Sequence, residues 1–91
     1  LSITGINWSI VSGVVDRQLI VILRNDGLRK GAGNTAKEAF SKYGSAGGHK
    51  TMARAELSLH LIRKETGTAA QKFLSGWVMD RIEKTAGKKI E

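Results

Sequence analysis

Five apolar residues in a row, Leu19-Ile20-Val21-Ile22-Leu23, constrain the fold of this chain more than any other feature. The run is bounded by Asp16-Arg17-Gln18 before it and by the turn signal Asn25-Asp26-Gly27 after Arg24. Such a run suits a central strand covered on both faces. The preceding segment, 6–15, is rich in β-branched types, with Ile6, Trp8 and Ile10 on one parity and Val11, Gly13 and Val15 on the other. It reads as a second strand, bent at Gly13 and joined to the first as an antiparallel hairpin.

Helix signals follow a glycine-containing loop over 28–34. Asn34 or Thr35 can cap, and Thr35 with Glu38 has capping-box spacing. Ala36, Ala39, Phe40 and Tyr43 share one helical face, and Gly44 is placed to stop the helix in a left-handed conformation. Residues 45–48 read as a loop of small residues. From Lys50 the period is two: Ala53, Ala55, Leu57, Leu59 and Leu61 alternate with Arg54, Glu56, Ser58, His60 and Ile62. That pattern predicts one long strand with a wet face. A last helix starts near Thr66-Gly67-Thr68, carries Phe73, Leu74, Trp77, Val78, Ile82 and Ala86 on one stripe, and ends at Gly87. Trp77 and Phe73 read as core rather than ligand-stacking residues. The expected class is α+β: a small mixed β-sheet with helices packed mainly on one face.

The 91 residues form one domain, 1–91, large enough for a single core without covalent staples. With no cysteine, disulfides, thiolate metal sites and cysteine nucleophiles are excluded, and a reducing cytoplasm fits. No apolar stretch is long enough to cross a membrane, and no signal peptide is visible. Leu1 is not a natural start, so the chain reads as an excised fragment or a processed chain. The net charge of +7 favours an anionic partner, although a solvated basic surface has the same composition. Only five aromatic residues are present, too few to advertise a base-stacking platform.

Chemistry concentrates in Gly47-Gly48-His49-Lys50. Glycines let a backbone approach a ligand closely, His49 can donate to a phosphate oxygen, and Lys50 adds a point charge. Arg24, at the end of the strand formed by Leu19–Leu23, is a candidate second clamp; a salt bridge to Asp26 or a solvated rim position is the alternative. Arg24, Arg29, Lys30, Lys37, Lys42 and Lys50 face only Asp26 and Glu38 in this stretch, which favours phosphate binding. Two histidines and scattered acids do not make a two-metal centre, so no catalytic or metal-binding residue is assigned in this chain.

The ordered set Arg24-Asn25-Asp26-Gly27, Ala32-Gly33, the Ala36-to-Phe40 helix and Gly44-Ser45-Ala46-Gly47-Gly48-His49-Lys50 with Ala53 resembles the DHHA1 domain. That domain is the C-terminal part of the DHH-family phosphoesterases, which include oligoribonucleases, bisphosphate-nucleotide phosphatases, cyclic dinucleotide phosphodiesterases and exopolyphosphatase-related proteins. The resemblance covers roughly residues 6–62. It implies that Gly47, Gly48, His49 and Lys50, with Arg24, hold a substrate phosphate of a short oligonucleotide or nucleotide. It also implies two manganese ions on a separate N-terminal DHH domain, the partner this chain would close against, and no cofactor within the chain itself. Ala46 stands where the family often has a further glycine, and the helical extension over 66–91 lies beyond the motifs, where it completes the core, packs on the separate domain or serves a homodimer. The runner-up is a non-catalytic nucleic-acid-binding module like the C-terminal domain of alanyl-tRNA synthetases.

Overall fold

A computed structural model describes residues 2–3, 6–25 and 31–86. In chain order the elements are β1 (Ser2–Ile3), β2 (Ile6–Val15), β3 (Gln18–Asn25), α1 (Ala32–Phe40), β4 (Gly44–Gly48), β5 (Met52–Ser58), α2 (Leu59–Thr66) and α3 (Gln71–Ala86). The strands form one sheet in the order β1-β2-β3-β5-β4. The class is α+β, as expected. Every described pairing is antiparallel, so the sheet is antiparallel rather than mixed. The reason is topological: β3 and β4 run in the same direction around α1, but β5 lies between them, so no parallel pair forms.

The β2–β3 hairpin closes through Asp16 and Arg17, both at positive φ (49° and 65°), with Val15 opposite Gln18. This is a two-residue turn whose twist matches that of its strands. β2 runs through Gly13 without a break. Pairing sorts the central residues into two faces. Leu19, Val21 and Leu23 of β3 sit beside Leu57, Ala55 and Ala53 of β5, and all six are buried. Ile20 and Ile22 point the other way, opposite Glu56 and Arg54, and are half-buried. The expectation of a strand covered on both faces is therefore corrected. The buried apolar residues of the described helices belong to one core with the inward side chains, and Ile20 and Ile22 are not part of it.

On the covered face α1 contributes Ala32, Ala36, Ala39 and Phe40, and α3 contributes Leu74, Trp77, Val78 and Ile82. Trp77 bridges the helices, with its ring 5.9 Å from Phe40 and 5.0 Å, edge-on, from Tyr43. The core assignment of Trp77 holds, and Phe73 packs at its margin. Each fully buried large apolar side chain contributes about 1.5–3 kcal/mol.

Three local expectations change. Helix α1 starts at Gly31 as N-cap, without a side-chain cap, and Thr35 lies buried inside its first turns, so the Thr35–Glu38 capping box is not the helix start. Gly44 does not stop the helix in a left-handed conformation; it opens β4, where a Cβ would lie 2.1 Å from the Glu56 carbonyl oxygen. The long strand from Lys50 breaks at Ser58, whose hydroxyl accepts from Leu61 N–H and caps α2, and Gly67 at φ 89° ends that helix. Ile62 is buried and Leu61 exposed because the period changes from two to helical at Ser58. The Asp26-Gly27 turn, Arg29, Lys30 and Gly87 lie outside the described residues.

Candidate functional site

The segment read as a glycine loop is an edge strand and a tight turn. His49 N–H donates to the Met52 carbonyl (2.9 Å) and Ser58 N–H donates to the Tyr43 carbonyl (2.8 Å), which fixes the ladder at both ends. In an antiparallel pair, bonded and non-bonded positions alternate. Gly47 N–H is thereby turned inward to Arg54, and Gly48 N–H outward to the free edge. Ala46 faces Ala55 and packs against the core, so its methyl group has a structural place in β4.

The turn at 49–51 docks on the start of α1. Ala32 N–H donates to the Lys50 carbonyl and Gly33 N–H to the His49 carbonyl, both at 2.8 Å, and Thr35 N–H returns to Gly31 (3.0 Å). Asn25 N–H donates to the Thr51 carbonyl (3.1 Å), which ties the end of β3 to the same turn. The first-turn amides that a helix offers to an anion are here largely occupied by the turn itself.

This close docking explains two glycines. A Cβ on Gly33 would lie 2.7 Å from the Gly48 carbonyl oxygen. A Cβ on Gly48 would lie 2.4 Å from the Met52 carbonyl oxygen, and Gly48 has φ +154°. Gly47 is different: a methyl there would meet only Lys37 Cε at 3.5 Å, so the Lys37 side chain reaches over the edge strand beside Gly47.

Gly31, Gly33, Asn34, Gly48, His49 and Lys50 line a cleft of about 340 Å³. Three of the expected site residues, Gly48, His49 and Lys50, are thus brought together. His49 and Lys50 are exposed, and among the described residues neither side chain forms an ion pair. Arg24 is not among the residues lining the cleft; it is exposed on the outward face, between Ser9 and Met52. Gly47 sits one residue outside the cleft, beside Lys37. His60, expected on a strand, is on α2 at the other end of the sheet. Sequence reasoning missed Gly31, Gly33 and Asn34 as neighbours of His49. Their signal was the small-residue pair Ala32-Gly33, which allows helix and turn backbones to touch.

Among the described residues no group of three or more His, Asp or Glu side chains is placed to hold a metal ion. No described helix is long and apolar enough to cross a membrane. No family model matches the chain, and neither a curated protein nor a solved structure does.

Proposed function

We propose that this chain binds a phosphate group of a short oligonucleotide or nucleotide, as the substrate-binding domain of a manganese-dependent phosphoesterase of the DHH type whose metal centre lies on a separate domain. The observation that carries the reading is the cleft in which Gly48, His49 and Lys50 meet the start of α1. The physical roles are specific. His49 donates to a phosphate oxygen, Lys50 and Lys37 supply positive charge, and the outward Gly48 N–H is the glycine amide oriented to reach a ligand. Arg24 acts from the outward face, at the strand end tied to the same turn, and grips a neighbouring oxygen rather than the one in the cleft. The +7 charge adds a general attraction for anions.

Fluorescence anisotropy with a labelled short oligoribonucleotide tests the reading. A charge-assisted hydrogen bond contributes about 1.5–3 kcal/mol, so His49→Ala should weaken binding by roughly ten- to a hundredfold. Unchanged affinity would remove His49 from the site. The same titration separates the second reading, a stand-alone nucleic-acid module. Tight binding by this chain alone with a steep salt slope favours the module. Weak binding that tightens when the metal-bearing domain is linked to the chain favours the phosphoesterase.

A further inference from the structure

At the opposite end of β5 a larger cleft, about 500 Å³, is lined by Arg17, Ser58, Leu59, His60, Arg63 and Ala69. Two elements supply its basic side chains: the β2–β3 turn gives Arg17, and α2 gives His60 and Arg63. We propose that this cleft is a second phosphate site, which holds a downstream phosphodiester of the same oligonucleotide whose terminal phosphate lies at His49.

Its geometry is fixed by the fold. Leu59 N–H donates to the Arg17 carbonyl (3.2 Å), which locks the left-handed turn residue against the start of α2. Leu61 N–H is held by the Ser58 hydroxyl. The helix amides are therefore largely occupied, and the positive potential comes from two guanidinium groups, with the His60 imidazole beside them as a further hydrogen-bonding group. None of the three side chains forms an ion pair with a described residue. The neighbouring acids are engaged elsewhere: Glu65 of α2 accepts from Lys42 and Tyr43, and Glu56 of β5 pairs with Arg54. Among the described residues of the β2–β3 turn, β5 and α2, Asp16 is the carboxylate outside those pairs, and it does not line the cleft. Two guanidinium groups facing one cleft suit the paired oxygens of a phosphate, which a lysine would meet only as a point charge.

The spacing selects the ligand. From Met52 to Ser58 is six residue steps, about 20 Å at 3.3–3.4 Å per step. A dinucleotide cannot reach from one cleft to the other. Eight nucleotides span roughly 25 Å even at the stacked rise of 3.4 Å per nucleotide. This site rests on the proposed oligonucleotide reading for its ligand, but on separate residues for its geometry.

The test is fluorescence anisotropy of the chain with labelled two- and eight-nucleotide RNAs, on the wild type, His49→Ala, Arg63→Gln and the double variant Arg17→Gln/Arg63→Gln, each checked for an unchanged melting curve. The double variant should bind the eight-mer at least tenfold more weakly, bind the dimer as the wild type does, and lower the salt slope for the eight-mer by about 1.4, two contacts at about 0.7 each. Arg63→Gln alone, which leaves the β2–β3 turn intact, should show about half of that slope change. Loss with His49→Ala but no loss with either arginine variant overturns the second site and leaves the first reading standing. Loss with the arginine variants but none with His49→Ala overturns the first reading and keeps this site. No binding of either RNA by the wild type overturns both.

Discussion

The two ends of β5 treat backbone and charge differently. At the His49 end, a turn and a helix start come into direct backbone contact: Ala32 and Gly33 amides bond the turn carbonyls, and Gly33 and Gly48 are glycines because a methyl group has no room. At the Ser58 end the backbone groups are also bonded, but through the Arg17 carbonyl and a Ser58 hydroxyl cap, and the surrounding side chains are long and cationic. The comparison teaches that a glycine-rich motif can be a packing seam first. In the proposed reading, its value to a ligand is then carried mainly by the side chains beside it, His49, Lys50 and Lys37.

The largest effect that would break this comparison is Gly48→Ala. Backbone strain at positive φ and overpacking against Met52 and Ala53 each cost about 1–3 kcal/mol, so denaturant unfolding should show a loss of roughly 3 kcal/mol or more. A stable Gly48→Ala protein would mean that the seam is not tight. Next comes an acid effect near the far end. Lys42 first, and then Tyr43, hold the Glu65 carboxyl below the usual carboxylate range. A depressed folded pKa gives stability that is present above the unfolded value and lost as pH falls through the folded one. The melting temperature of the wild type should therefore drop below about pH 4.5, and that of Glu65→Gln should drop less over the same range. Equal drops would show that Glu65 is not held by Lys42 and Tyr43.

Thr35→Val sharpens the picture of α1 at a smaller scale. The Thr35 hydroxyl is buried and has no hydrogen-bond partner among the described residues, so the isosteric change should be neutral or raise stability by about 1 kcal/mol. A loss of that size in a thermal melt would show that the hydroxyl is bonded. The smallest effects come from Gly47→Ala and Arg63→Gln, each expected within about 0.5 kcal/mol of wild type in the same melt, since one methyl meets only the end of the Lys37 side chain and the other side chain has no described partner. A marked destabilisation by Gly47→Ala would extend the packing seam to that residue and erase its contrast with Gly48.

Much of the fold was legible because strong local patterns agreed with it. The alternation of Trp8 and Ile10, the run Leu19–Leu23, the α1 face of Ala36, Ala39 and Phe40, and the α3 stripe through Trp77 all fall where their periods put them. The candidate site was half legible: Gly48, His49 and Lys50 meet in one cleft, while Arg24 is turned to the other face by strand parity. The strand β4 was hidden because Gly44-Ser45-Ala46-Gly47-Gly48 has poor intrinsic strand character and is extended only because β5 pairs with it. The helix α2 was hidden because Leu57, Leu59 and Leu61 continue a strand period, although Ser58 and Gly67 bracket an eight-residue helix.

The sequence by itself determined the α+β class, the hairpin, the two longer-range helical faces and the basic charge, since these follow from periodicity and composition. Only the tertiary structure decided which face of Leu19–Leu23 is covered, that β5 separates β3 from β4, and that the glycines of the motif serve backbone contact. Those outcomes depend on pairing register and on the approach of α1 to the 49–51 turn, which are contacts between residues far apart in the chain and leave no local period to read.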